Sequence, residues 1–178
     1  GRGGKTTNLE KIFENIPGKL KSDLVTVKTD EDRTIFFDFF QLEMPEIKGN
    51  IPKFNLYTVP GQVYYAKTRK VILENVDGVV FVADAHLAKC RENLESWRDL
   101  QDNLNSYGLD MEDVPHVVQF NKQDLPLKTS SAVLSRLLGI PENIPRFEAS
   151  AIHTDGVSAT LKAIINRVFE NVKKELES

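Results

Sequence analysis

The sequence predicts an α/β fold in which a mostly parallel central sheet, with an antiparallel edge strand, carries helices on both faces. Two observations support this prediction. The apolar runs at 79–83 and 116–120 are typical of parallel strands buried on both faces, and each is followed by a segment with helical character. Segments 24–29, 34–42 and 54–59 have extended character, which predicts neighbouring strands joined by a hairpin.

Helices are expected between and after these strands. The spacing of apolar residues predicts helices over 6–16, 64–75, 87–107, 132–138 and 157–176, with a short strand near Phe147. Pro17 and Gly18 are suited to stop the first helix, and Gly108 is suited to end the third. In such sheets, ligands bind beyond the carboxyl ends of the strands, so the loops at that edge are the candidates for a site.

Bulk composition restricts the class of protein. A chain of 178 residues is expected to form a single domain, 1–178. The net charge of −3 predicts no general attraction to nucleic acid or anionic lipid. The lone Cys90 fits a reducing cytoplasm, and no signal peptide, lipidation motif or intrinsic membrane anchor is recognisable. Because Gly1 opens directly into a glycine-rich turn, we expect this domain to lack its first strand in the chain as given.

That glycine-rich turn is a candidate phosphate-binding loop. It matches the later part of the pattern G-x-x-x-x-G-K-[ST] immediately before a helix, through the residues Gly1, Arg2, Gly3, Gly4, Lys5, Thr6 and Thr7. Glycines let backbone N–H groups wrap around phosphates, and the helix terminus adds partial positive charge. Lys5 would reach the β- and γ-phosphates, and Thr6 would bind Mg²⁺. A flexible basic terminus is the bland alternative.

A second motif predicts which base is bound. Asn121, Lys122 and Asp124 form N-K-x-D directly after a buried strand. A carboxylate such as that of Asp124 can accept two hydrogen bonds from the ring N–H and exocyclic amine of guanine, whereas adenine offers no such pair of donors. Asn121 would tie this loop to the phosphate loop, and the stem of Lys122 would cover the purine. Ser150 and Ala151 resemble the small-residue loop that closes over guanine.

Two further segments point to phosphoryl chemistry. The segment Thr58-Val59-Pro60-Gly61-Gln62 resembles the D-x-x-G-Q segment of Ras-like GTPases, in which the glycine N–H contacts the γ-phosphate and the glutamine orients the attacking water. Gln62 is therefore a catalytic candidate, while Thr58 replaces the usual aspartate. In 29–34, the place of a first switch loop, Thr34 could bind Mg²⁺ and Arg33 could neutralise transition-state charge. A merely exposed polar turn is an equal alternative for Arg33.

Together these motifs resemble the MglA-type bacterial gliding-motility and polarity GTPases. The resemblance rests on G-G-K-T-T-N-L, D-R-T-I-F-F-D-F, L-Y-T-V-P-G-Q, D-G-V-V-F-V-A-D and N-K-Q-D-L-P, and it covers nearly the whole chain. It implies a P-loop GTPase fold, Arg33 as an intrinsic arginine finger, Gln62 as the residue that positions water, and Thr6 and Thr34 as Mg²⁺ contacts. It also implies a Roadblock-fold MglB-like activator. Arg2 and Gly3 depart from the family pattern.

The sequence therefore predicts a Mg²⁺-dependent switch that binds GTP or GDP, hydrolyses GTP slowly alone and meets polarity or motility effectors in one nucleotide state. A location in the cytoplasm, with recruitment to a pole or membrane machine by partners, follows from this prediction. Two alternatives stay open. A P-loop ATPase or kinase would share Lys5 and Thr6 but would not need Asp124. A nucleotide-locked scaffold would bind GTP with little or no turnover.

Overall fold

The computed structural model describes residues 3–28, 36–46, 49–60 and 66–177. Three strands follow the first helix, and helices and strands alternate from there on. The helices are α1 (Lys5–Asn15), α2 (Ala66–Leu73), α3 (Cys90–Asn105), α4 (Ser131–Leu138) and α5 (Val157–Glu177). The strands are β1 (Val25–Lys28), β2 (Phe36–Glu43), β3 (Lys53–Tyr57), β4 (Val79–Asp84), β5 (His116–Asn121) and β6 (Arg146–Glu148). The predicted α/β class is confirmed.

Strands β1, β2 and β3 form an antiparallel sheet in that order. The register places Phe39 opposite both Val25 and Tyr57. Side chains alternate between the two faces of a strand, so Phe40 is fully buried while Phe39 lies on the outer face, stacked on Tyr57 at 4.7 Å between ring centroids. Phe39 and Phe40 thus lie on opposite faces of the sheet.

Strands β4, β5 and β6 form a parallel sheet with β5 in the centre. Every residue of β5 is buried, as expected for a strand covered on both faces. The register pairs Asp84 with Asn121, the last residues of β4 and β5. The loops after these strands consequently open at one edge of the sheet.

A cavity of about 1220 Å³ lies between the two sheets. It is lined on one side by residues of β3, including Leu56 and Tyr57, and on the other by residues of β4, including Val80 and Val82. Within the described ranges, no strand pairs with the facing edges of β3 and β4, so the predicted sheet is present as an antiparallel part and a parallel part.

Two apolar clusters hold the layers together. In one, α3 and α4 cover the parallel sheet, and Trp97 of α3 packs edge-on against Phe81 at 4.9 Å between ring centroids. In the other, Leu9 of α1 and Ile165 of α5 pack around Phe40. Each fully buried large apolar side chain contributes roughly 1.5–3 kcal/mol. Among the described helices, none is long and apolar enough to cross a membrane.

Candidate functional site

The phosphate loop requires glycine at two described positions. Gly4 has a φ of 98°, and a Cβ at this residue would lie 2.2 Å from the side-chain nitrogen of Asn121. A Cβ on Gly3 would lie 2.8 Å from the carbonyl oxygen of Val82. Any side chain would therefore push this loop away from the edge of β4 and β5. Helix α1 begins at the next residue, Lys5, so its free N–H groups face the loop.

Lys5 is a partly buried cation without a described counter-ion. It makes no hydrogen bond or ion pair with any residue of the described ranges. Burial lowers the pKa of Lys5, and the nearby charge of Arg69 lowers it further. Keeping such a group charged is costly unless an anion neutralises it, so the surroundings of Lys5 favour an anionic ligand.

Asn121 joins three loops that are distant in sequence. Its side-chain nitrogen donates to the carbonyl of Gly3 at 2.9 Å, and its side-chain oxygen accepts from the amide of Ala151 at 2.9 Å. The side chain is buried, so losing either partner would leave a polar group unsatisfied at a cost of about 1–3 kcal/mol. The phosphate loop, the N-K-x-D loop and the Ser150-Ala151 loop are therefore held as one unit.

Asp124 lies exposed at the outer side of this unit. Ser150 donates its hydroxyl hydrogen to one carboxylate oxygen of Asp124 at 2.5 Å. This hydrogen bond is the largest of the effects that hold the pKa of Asp124 below its ordinary value, and a backbone hydrogen bond and the charges of His153 and Lys122 add to it. The carboxylate is thus fixed in direction and charged at neutral pH, as an acceptor for guanine donors must be.

Lys122 is oriented by a residue that sequence reasoning missed. The Lys122 ammonium donates to the buried carboxylate of Asp84 at 2.6 Å, and the other oxygen of that carboxylate accepts from the His86 amide. The side chain of Asn93 in turn bonds both the N–H and the C=O of Asp84. In the sequence, this role was indicated by the position of Asp84, an acidic residue directly after the apolar run 79–83.

Asp38 is a second missed residue, and it lies beside the phosphate loop. Its buried carboxylate accepts hydrogen bonds from the hydroxyls of Thr6 and Thr26, each at 3.0 Å, and from Thr58 at 3.2 Å. The Thr58 hydroxyl also accepts from the Asp38 amide at 2.8 Å. A carboxylate therefore contacts Thr58, the position where the sequence lacks the usual aspartate. In the sequence, this role was indicated by the position of Asp38, a charged residue with phenylalanines on both sides.

The structure brings the predicted residues of the two motifs to one edge of the fold. Those in the described ranges are Gly3, Gly4, Lys5, Thr6, Thr7, Asn121, Lys122, Asp124, Ser150 and Ala151. The candidates Gly1, Arg2, Arg33, Thr34, Gly61 and Gln62 lie outside the described residues. Within the described ranges, a partly buried cation at a helix N-terminus is thus connected through Asn121 to the Ser150-Ala151 loop, which holds the Asp124 carboxylate.

Comparison with known proteins agrees with this geometry. Residues 3–176 match the model of the ADP-ribosylation factor family. The chain belongs to this family of Ras-like GTPases, so it binds GTP and hydrolyses it to GDP.

Comparison with individual proteins places the chain more narrowly within the Ras-like GTPases. The chain is 44% identical to the mutual gliding-motility protein MglA of Myxococcus xanthus (strain DK1622) over 171 residues, which are 96% of this chain and 87% of that protein. It is therefore an MglA-type GTPase. The GTPase Obg of Staphylococcus aureus (strain MRSA252) is 29% identical over 98 residues, 55% of this chain and 23% of Obg.

Proposed function

We propose that this GTPase is a Mg²⁺-dependent switch that controls bacterial cell polarity or gliding motility through nucleotide-dependent partner binding. The observation that carries the proposal is the junction at Asn121, which holds the phosphate loop and the base loop in one site. The motility assignment is supported by the identity to a protein named for mutual gliding motility. GTP and GDP are its substrate and product.

Guanine recognition falls to the residues around Asp124. Its carboxylate accepts from the two guanine donors, and Ser150 holds it in place. The Ala151 loop closes over the base, and the apolar stem of Lys122 covers one purine face while its ammonium stays on Asp84. Adenine cannot satisfy Asp124, which argues against the ATPase alternative.

The residues beside the phosphate loop suit a magnesium ion. Mg²⁺ takes oxygen ligands, and here the Thr6 hydroxyl lies 3.0 Å from an oxygen of the buried Asp38 carboxylate. Thr6 and Thr34 would hold the ion, and Asp38 would supply the negative charge that Thr58 does not. When bound, the ion neutralises charge on the β- and γ-phosphates.

Hydrolysis and switching fall to residues of the two candidate switch segments. Gln62 positions the attacking water, and Arg33 neutralises charge that develops on the phosphates. The γ-phosphate holds Thr34 and the N–H of Gly61, and its loss releases both segments. Turnover is slow in the isolated protein because an activating partner must complete this arrangement.

The outer face of the antiparallel sheet is the candidate partner surface. Phe37 and Phe39 pack on Tyr57, which remains 47% exposed, and Val25 beside them is 45% exposed. Exposed aromatic groups are favoured at protein interfaces, and this face adjoins the first switch segment in sequence. A Roadblock-fold MglB-like activator and downstream effectors would bind here, and they would recruit the cytoplasmic protein to a pole.

A substitution that should change the preferred purine base tests the proposal. Asp124→Asn presents one acceptor and one donor, which no longer fit guanine but fit the 2-oxo group of xanthine. We expect the variant to bind GDP at least tenfold more weakly and to prefer xanthosine diphosphate (XDP). Titration of the protein with each nucleotide in the presence of Mg²⁺ measures this. The control Asp102→Asn changes an exposed aspartate of α3 and should keep the guanine preference. Equal affinity for GDP, ADP and XDP in the unmodified protein would refute the base assignment.

Single-turnover hydrolysis tests the switch itself. GTP bound to the protein should be hydrolysed slowly alone and faster with a Roadblock-fold activator. If no phosphate is released in either condition, the nucleotide-locked scaffold replaces the switch as the best account.

A further inference from the structure

Gln119 is a buried polar residue in the middle of β5, two residues before Asn121. It is 1% exposed, and its side-chain nitrogen donates to the side-chain oxygen of Asn8 on α1 and to the hydroxyl of Thr160 on α5, each at 3.0 Å. Side chains two residues apart lie on the same face of a strand, so Gln119 and Asn121 share the face that α1 and α5 cover. One amide therefore joins these two helices.

On the α1 side, this bridge continues to the phosphate loop. The side-chain nitrogen of Asn8 donates to the carbonyl of Gly4 at 2.9 Å, while the side-chain oxygen accepts from Gln119. Asn8 is buried, so its amide depends on these two partners rather than on water. Gly4 directly precedes α1, and the bridge consequently restrains the point at which the phosphate loop enters the helix.

On the α5 side, the bridge continues to the loop that holds Asp124. The Thr160 hydroxyl donates to the carbonyl of Gly156 at 2.8 Å. The preceding residue, Asp155, pairs with Ser150 through two backbone hydrogen bonds of 3.0 and 3.1 Å. The bridge thus reaches Ser150, which orients the carboxylate that is the proposed guanine contact.

Packing alone does not account for a glutamine at this position. Its neighbours Val117, Val118 and Phe120 are fully buried, so apolar side chains fit this strand. Burying an amide is costly unless its groups are hydrogen-bonded, and the side-chain oxygen of Gln119 has no partner among the described residues. A buried polar network restricts the elements that it joins to one relative placement, which an apolar side chain would not do.

We propose that Gln119 is a positioning residue for guanine-nucleotide binding, which sets the separation between the phosphate loop and the Ser150-Ala151 loop. Asn121 joins these two loops directly, and Gln119 holds the helices on which they are carried. This inference rests on the proposed function, because it takes Asp124 as the guanine contact. A nucleotide touches both loops at once, so a wrong separation lowers the affinity only of a ligand that spans them.

The test compares a ligand that spans both loops with two ligands that each reach one of them. Thr160→Val keeps the shape of the side chain without the hydroxyl, and Gln119→Met keeps an unbranched side chain without the amide. We expect each variant to bind GDP about tenfold more weakly, while its affinities for guanosine and for inorganic pyrophosphate change by less than about twofold. Titration calorimetry in Mg²⁺ measures all three affinities.

Thr129→Val is the matched control. Thr129 is buried, as Thr160 is, but its hydroxyl lies 3.3 Å from the sulfur of Cys90 at the start of α3. This substitution also removes one buried hydroxyl, and it should leave the affinities for GDP, guanosine and pyrophosphate unchanged. Urea denaturation shows beforehand that each variant is folded.

Three results would overturn the inference. The first is an unchanged GDP affinity in the folded bridge variants, and the second is an equal loss for GDP, guanosine and pyrophosphate, which indicates a purely structural role. The third is a loss of GDP affinity in Thr129→Val as large as in Thr160→Val. If Gln119→Met does not fold, Thr160→Val decides by the same criteria. Failure of the proposed function is distinguishable, because the unmodified protein would then bind GDP and ADP equally.

Discussion

Thr58→Asp restores the aspartate that most GTPases have, and we expect it to damage this protein. The Thr58 hydroxyl lies 3.2 Å from an Asp38 oxygen, and the two residues are 7% and 5% exposed. The substitution places a second carboxylate against the first in a site with little water. It also removes a hydroxyl that donates to one Asp38 oxygen.

The contacts give the size of the effect. Two like charges about 4 Å apart repel by about 4 kcal/mol at an effective dielectric constant near 20. A lost hydrogen bond to a charged acceptor adds about 1.5–3 kcal/mol, while uptake of a proton by the pair relieves part of the repulsion. We therefore expect the free energy of unfolding to fall by about 3–5 kcal/mol at pH 7. The neutral control Thr58→Asn should lose about 1–2 kcal/mol.

The pH dependence gives a second measure. Repulsion raises a carboxyl pKa in the folded variant above its unfolded value, so the folded state binds more protons. The variant should consequently be less impaired at pH 5 than at pH 7. Urea denaturation of nucleotide-free protein in EDTA at both pH values measures this. Asp38→Asn combined with Thr58→Asp leaves one carboxylate and should recover most of the loss, together with Mg²⁺-dependent GTP binding.

Equal destabilisation by Thr58→Asp and Thr58→Asn, with no dependence on pH, would refute the reasoning. Failure of the double variant to regain Mg²⁺-dependent binding, although stably folded, would show that the carboxylate at Asp38 does not take the role of the missing aspartate.

Three further substitutions test other parts of the site and fold. Lys5→Met should leave nucleotide-free stability unchanged or raise it by about 1 kcal/mol, because it removes a partly buried charge, and should weaken GDP binding at least tenfold in fluorescence titrations. Gly4→Ala should weaken GDP binding in the same titrations, since the methyl group displaces Asn121, whereas Gly18→Ala enters open space and should not. Burial lowers the pKa of His116, so the unfolded chain takes up the proton first as pH falls; stability should drop between pH 7.5 and 5.5, and less so in His116→Asn.

Sequence patterns were sufficient where a residue's role depends on its neighbours along the chain. The apolar run of β5 predicted a buried strand, and the strand end then placed Asn121 and Asp124 at the edge where ligands bind. The alternation of side chains along a strand also means that the phenylalanines of β2 cannot all face the core. The alternation does not show which phenylalanines face the core, because both assignments of the two faces have a period of two until the register of β2 with β3 is known.

Contacts between distant segments were not predictable in this way. Asp38 meets Thr58 and Thr6 only because β2 pairs with β3 and packs against α1. Arg69 meets Asp99 through the packing of α2 on α3, and each looks like an ordinary surface charge in the sequence. The roles of Arg33 and Gln62 stay predictions, as they lie outside the described residues.

The bonds of Asn121 have a consequence for synthesis of the protein. Its two partners lie 118 residues earlier and 30 residues later in the chain. The phosphate loop therefore leaves the ribosome long before β5, yet it acquires its anchor only after β5 has emerged, and the base loop waits for Ala151. A nascent chain that ends before Ala151 lacks this junction, so we expect stabilisation by bound guanine nucleotide to begin only after that residue has been made.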